Sequence, residues 1–214
     1  MTRLTLAAAF ALTLSACAAD TSDPAPDTAA AGLDAGDTVV QTGDAPAIEA
    51  GLYAIDPTHS EVGFQVKHLG ISNVDGRFSD VAGALTIPEG GGLADMSVEA
   101  TIQAASIDTR NADRDEHLKS PDFFDAGQFE TLTFRSTSVT PTGGSGFQMT
   151  GDLTMHGVTK PVTLDGTFAG SAADPQGTRK VAFSATGTIN RSEWGLNWNM
   201  ALEAGGVVVS EEVQ

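Results

Sequence analysis

Beyond position 60, apolar and polar residues alternate with a strict period of two in short segments, and every segment ends in turn-forming residues. An extended chain with this pattern puts one face in a core and the other in water, whereas a helix would scatter the apolar residues around its axis. The clearest segments are Val62–His68, Met96–Ile102, Thr131–Arg135, Phe147–Met155, Val162–Phe168 and Val181–Ile189, with Gly83–Ile87 and Gly206–Val209 as two more. Glycine and proline separate them at Pro88–Gly92, Pro141–Gly146, His156–Pro161 and Ala173–Gly177. The pattern predicts an all-β domain of eight antiparallel strands, as a sandwich or barrel. One short helix is expected over Asn111–Lys119, where Asp115 and Lys119 stand at i,i+4 and Pro121 stops the element.

Strand parity also marks an interior face. It carries large residues such as Phe64, Val66, Val98, Met149, Leu164 and Phe183, interrupted by Ala100, Gly151, Gly166, Ala185 and Gly187. Eight strands enclose a space that side chains either fill or leave open for one small ligand. The small residues fit an apolar channel, and they equally fit bends in a barrel whose lumen is filled by Phe and Met. Periodicity alone leaves the two readings level.

The chain ahead of this domain has a different composition. Residues 1–16 combine Arg3, an apolar run from Leu4 to Leu14, and the small residues Ser15 and Ala16 before Cys17, as an export signal does. The run is too short to cross a hydrocarbon core of roughly 30 Å, which takes about 20 residues. Leu14-Ser15-Ala16-Cys17 resembles the bacterial lipobox, which implies lipidation of Cys17 and accounts for the only Cys in the chain. Residues 17–50 carry seven carboxylates, no basic residue and no aromatic, so they read as an acidic, disordered tether. Ala18 after the Cys points to the outer membrane by the sorting pattern of such lipoproteins, which places the protein in the periplasm, anchored to the outer membrane's periplasmic face. The alternative is an ordinary secretory signal cut near Ala19. A net charge of -17 excludes nucleic acid as a partner, since no basic surplus exists to displace counterions.

Several separated strings resemble the YceI-like, polyisoprenoid-binding family. They include Tyr53–Gly70, Asn73–Phe78, Ser106–Asn111, Arg114–Leu118, Asp122–Asp125, Gly151–Val162, Asn190–Gly195 and Gly205–Ser210, in the family's order and spacing. The resemblance implies a lipocalin-like eight-stranded barrel over residues 51–214, with an open lumen that holds a long amphiphile. With that lumen the expected lining is Phe64, Val66, Phe78, Val98, Ile102, Phe134, Met149, Leu153, Leu164, Phe168, Phe183, Trp194 and Trp198. Lys67, His68 and Arg77 are expected at its mouth, to neutralise a phosphate or bond a quinone oxygen, unless interleaved carboxylates such as Asp75 and Asp108 pair with them.

No catalytic machinery competes with this reading. Gly144-Ser145-Gly146 suits a hairpin and not a nucleophile elbow, and no glycine-rich phosphate cradle precedes a helix. Nine positions separate His59 from His68 in an extended chain, which sets them on opposite faces and argues against a metal pair. The Arg114–His117 run splays around a helix, so its side chains fit a solvated surface better than an acid–base pair. The expected function is non-enzymatic binding, sequestration or transport of an isoprenoid amphiphile such as a polyprenyl phosphate or a quinone-like lipid, with no metal and no other cofactor. A homodimer is left open. The rival classes are a structural or stress-response envelope lipoprotein and a lipid-modifying enzyme.

Overall fold

The computed structural model describes residues 48–201 and 207–214, all inside the compact unit Val40–Gln214. The export signal, Cys17 and the tether as far as residue 47 lie outside the described residues. Ile48, within the segment read as tether, is buried in an apolar cluster with Leu85 and Ile87, so the barrel's core begins three residues ahead of Gly51.

The strand segments are β1 (Gly51–Ala54), β2 (Val62–His68), β3 (Ser72–Phe78), β4 (Val81–Ile87), β5 (Ser97–Gln103), β6 (Ile107–Asp108), β7 (Thr131–Gly143), β8 (Gly146–Met155), β9 (Val158–Ala173), β10 (Arg179–Thr186), β11 (Ile189–Asn190) and β12 (Val209–Val213). These reduce to eight strands, because β1–β2, β3–β4, β5–β6 and β10–β11 are each one strand broken by a bend. Registers show the continuity: β1 pairs β4 through Gly51↔Ile87, and β2 pairs β3 through Val62↔Phe78. Every pairing is antiparallel, and the order runs from β1/β2 to β3/β4, β5/β6, β7, β8, β9, β10/β11 and β12. β12 then returns to β2 through Val209↔His68 and Val213↔Val66, which closes the ring. The all-β antiparallel barrel read from the sequence is the observed fold class, nearly closed, with twelve strand segments where eight strands were expected and α1 (Ala112–Lys119) as the helix among the described residues.

One corner shows why the strands break. Ser79 donates its N–H to the Ser106 carbonyl, Asp80 donates its N–H to the Ser106 hydroxyl, and that hydroxyl donates to the Gln103 carbonyl. The Ser106 side chain and carbonyl thus hold the backbone where two neighbouring strands turn together. Thr137 is an extra residue in β7, since Ser136 faces Gly151 while Ser138 faces Thr150. Such a bulge resets parity and brings Val139 inward after Leu132, Phe134 and Ser136.

Each sheet keeps two unpaired edges, and those of the seven-stranded sheet face each other across a seam. β1 and β10 are the two edges of the seven-stranded sheet, and among the described residues no backbone hydrogen bond joins them. Side chains span the gap: Arg179 pairs with Glu49, and Lys180 Nζ lies 3.5 Å from Asp56 Oδ2.

Two expected turns are tighter than their sequences suggest. His156 (φ 50°) and Gly157 (φ 74°) form a two-residue hairpin, so Val158–Pro161 already belongs to β9. Counting back from the closing pair Met155/Val158 puts Asp152↔Pro161 at a position whose N–H groups point away from β8. On the other side β10 stops at Thr186 opposite Asp165, so no partner asks Pro161 for the hydrogen it lacks. β7 likewise runs through Pro141 to Gly143.

Since the ring closes and both apolar clusters draw on Ile48 to Leu196, residues 48–214 hold a complete core of their own.

Candidate functional site

The barrel interior is built around two buried clusters. One holds Phe78, Ile102, Leu132, Met155, Trp194 and Leu196; the other holds Ile87, Leu93, Met96, Phe147, Met149 and Phe168. Phe134 packs against both and so stands between them.

The expected lining residues divide accordingly. Phe78 and Ile102 are buried in the first cluster, Met149 and Phe168 in the second, and they have little surface left to offer. Trp194 is 2% exposed, and its indole N–H donates to the Leu153 carbonyl over 3.1 Å. Its role is a wedge between a 3-10 turn (Arg191–Trp194) and β8. Phe64, Val66, Val98, Phe134, Leu153, Leu164 and Phe183 face inward by parity and remain partly exposed. Trp198 sits elsewhere: it meets His117 edge-to-face at 4.7 Å and lies 5.2 Å from Phe123, at the corner that carries α1.

The small interior residues have acquired covers. A Cβ on Gly151 would meet the Phe134 ring at 2.4 Å, one on Gly166 the Phe147 ring at 2.2 Å, and one on Gly76 the Phe64 ring at 2.2 Å. Each glycine is a seat for an aromatic ring, so at these positions the bends and filling rings, one of the two readings left level by periodicity, are what the structure has. Ala100 is partly exposed and Ala185 is exposed, and neither lies under a ring of this kind.

The basic trio does not converge. In β2, Lys67 has the parity of Gln65 and faces out, while His68 has the parity of Phe64 and Val66. Arg77 faces out from β3, with Nη2 3.2 Å from Asp108 and Nη1 3.6 Å from Glu61. Lys67 and Arg77 line separate polar grooves of about 220 and 260 Å³. The reason is the period itself: adjacent residues of a strand cannot share a face. Of the three, His68 alone keeps inward parity, at the end of β2.

Other charged residues act structurally. The Arg110 backbone N–H, and then the Arg77 guanidinium, hold the Asp108 carboxyl below its usual range. Asp56 lies well below that range through the Thr58 hydroxyl and His59. Arg114 and Asp115 do not form a solvated surface: both reach back to buried Thr109, whose N–H and hydroxyl donate to Asp115 at 2.8 and 2.5 Å. Arg114 donates through Nη2 to the Thr109 carbonyl and through Nε to its hydroxyl, each at 2.8 Å. Arg191 is 5% exposed, and burial pushes its pKa down. Its Nε donates to the Ser210 carbonyl at 2.9 Å and its Nη1 donates to the Leu196 carbonyl, which ties β12 to the chain that follows the 3-10 turn. Sequence reasoning missed this arginine because its acceptors are backbone carbonyls, which leave no mark on residue type.

A nearly closed antiparallel barrel with an apolar, partly accessible interior is a lipocalin-like barrel. The YceI-like domain model matches residues 53–214, and the chain belongs to that family. A UPF0312 protein of Staphylococcus aureus is 40% identical over 165 residues, 76% of this chain and 92% of its own. A UPF0312 protein of Vibrio parahaemolyticus is 38% identical over 148 residues, covering 68% and 78%. Among solved structures, Burkholderia cenocepacia BcnA aligns with a TM-score of 0.61 at 26% identity, over 75% of this chain and 94% of that one. The Campylobacter jejuni YceI protein aligns at 0.54 and 37% identity, over 67% and 83%. A polyisoprenoid-binding domain from Saccharophagus degradans shares the fold at 14% identity, with a TM-score of 0.50 over 77% and 94%.

Proposed function

We propose that this barrel binds one long isoprenoid amphiphile in the bacterial envelope and holds or carries it without chemical turnover. The observation that carries the reading is the set of large apolar side chains, Phe64, Val66, Leu164 and Phe183 among them, that face inward and still stay partly exposed. A filled core leaves no such surface. The fold relative named for polyisoprenoid binding supports the ligand class. Phe64, Val66, Val98, Leu153, Leu164 and Phe183 are the tail contacts, and His68 is the headgroup contact.

The affinity this implies is moderate. At roughly 0.8 kcal/mol per buried CH2, a tail of about 40 carbons nominally exceeds the ceiling of non-covalent binding. Such a lipid starts in a membrane, so the transfer exchanges one apolar setting for another and the net difference is small. That near balance suits a carrier or a buffer. The envelope setting comes from the export signal, with an anchor at Cys17 on the periplasmic face of the outer membrane.

The aromatic rings seated on Gly76, Gly151 and Gly166 favour a second reading, a structural barrel that packs its own lumen. Mass spectrometry of organic extracts from protein purified without detergent separates the two. One intact isoprenoid per barrel is expected. Extracts without lipid, from protein made in cells that contain isoprenoids, leave the structural reading in place, and a chemically altered lipid makes the protein an enzyme.

A further inference from the structure

Phe134 is the one side chain among the described residues that packs against both buried clusters, and it is itself only partly buried. The two clusters belong to different stretches of the wall. Every strand residue of the second comes from the seven-stranded sheet, whereas the first takes in Phe78 and Ile107 of the five-stranded sheet. Accessible apolar surface lies on both sides of Phe134. Phe64 and Leu153 are partly exposed against the first cluster, and Val98, Val181 and Phe183 are partly exposed against the second.

Two ladders hold the backbone of Phe134, which stands opposite Ala100 on β5 and Leu153 on β8. Two residues further on, the Ser136 hydroxyl accepts the Val98 N–H at 2.8 Å and secures the same stretch of β7 to β5. The ring can therefore move only about its own side-chain torsions. It leans towards β8, because Gly151 offers no Cβ there; one built on that glycine would come within 2.4 Å of the ring. On the β5 side the wall is low. Ala100 and, in register with it on β4, Gly83 face inward with no side chain beyond a methyl, and both are partly exposed. Directly opposed residues stand with Cβ atoms about 5 Å apart, so this low strip lies immediately beside the ring.

We propose that Phe134 sets the length of tail the barrel accepts, by fixing the width of the crossing between its ring and the Gly83–Ala100 strip. The proposal rests on the reading of the barrel as an isoprenoid binder with the headgroup at His68, and it names the residue that selects among tails. A short tail is held against Phe64 and Leu153 and ends before the ring. A long tail has to pass the ring to reach Val98, Val181 and Phe183. In a closely packed apolar passage one methylene more or less changes affinity by roughly 10- to 200-fold, so a small change in side-chain volume at the crossing discriminates sharply between tails. The short tail never meets that change.

The test uses residues 48–214, which hold both clusters, and measures how two prenols with the same hydroxyl headgroup, farnesol and solanesol, partition between the protein and phosphatidylcholine vesicles. The parent is expected to take up both. Phe134→Trp, which widens the ring, and Ala100→Leu, which raises the opposite wall, should each lower solanesol uptake at least about tenfold and leave farnesol uptake within about twofold. Cooperative melting establishes that a variant is folded, and either variant alone suffices for the comparison. A parent that takes up neither prenol removes the ligand reading and this inference with it. A parent that takes up farnesol alone, or folded variants that keep solanesol or lose both prenols alike, overturn the role of Phe134 and leave the barrel a lipid binder.

Discussion

At Gly166 a single methyl group would meet the Phe147 ring at 2.2 Å, and that ring is 2% exposed, with Phe183 at 6.0 Å. It has nowhere to swing. Gly166→Ala is therefore expected to cost about 1–3 kcal/mol, as overpacking of a tight core does. In a Phe147→Leu background the same substitution should cost clearly less. Urea unfolding of the four proteins in this cycle checks it, and an equal penalty in both backgrounds would separate the glycine from the ring. The glycine was visible in the sequence as a small interior residue. The ring above it was not, because the Phe147↔Gly166 pairing is a matter of register, and a period of two is the same in every register. For the same reason parity sorted the inward residues well but could not tell partly exposed Leu164 from buried Phe168. Lys67 was legible too: parity that puts Phe64 and Val66 inward sends Lys67 out, and only chain proximity grouped it with His68 and Arg77.

At the scale of elements, long alternating segments were legible and bends were not. β2 has the bounds read from its sequence, and the helix starts at Ala112 with Asn111 as its cap, accepting from Arg114 N–H at 3.0 Å. The break at Ser79–Asp80 depends on the Ser106 hydroxyl of another strand, and β3 went unread because Asn73, Asp75 and Gly76 dilute its alternation. These corners have a pH signature. Asp56, in the break between β1 and β2, and Asp108, ending β6, both titrate below the ordinary 3.8 in the folded protein. A depressed carboxyl favours the charged form in the folded state, so its contribution is complete above the unfolded value. That contribution drains away as pH falls through the lower folded value. Stability should therefore hold down to about pH 4 and decline below it. The Asp56→Asn/Asp108→Asn protein should be weaker at neutral pH and should show a shallower acid decline. Urea midpoints across pH measure this, and an acid slope as steep as the parent's would place the sensitivity elsewhere.

For the whole molecule, the residues that carry the fold and the segment read as an export signal are separate in sequence. Cys17→Ser is expected to shift the protein into the soluble envelope fraction after a salt wash, with the barrel's thermal transition unchanged, because both cores are built from residues 48–196. Dual acylation anchors durably, whereas electrostatic adhesion of a protein to membranes is reversible and weakened by salt. Fractionation with and without the wash reads the two separately, and a washed Cys17→Ser protein that still pellets with membranes excludes the lipid anchor.

The seam between β1 and β10 gives this cylinder a property that a fully laddered one lacks. Where strands share hydrogen bonds their spacing is fixed, and the circumference of the wall is fixed with it. Along the seam the spacing is set by the reach of Arg179 and Lys180 to Glu49 and Asp56, which is a matter of rotamers. The wall is a hoop with a clasp: on the side of the seven-stranded sheet its girth can change without unzipping a ladder of that sheet, and the clasp is ionic, so it loosens in salt.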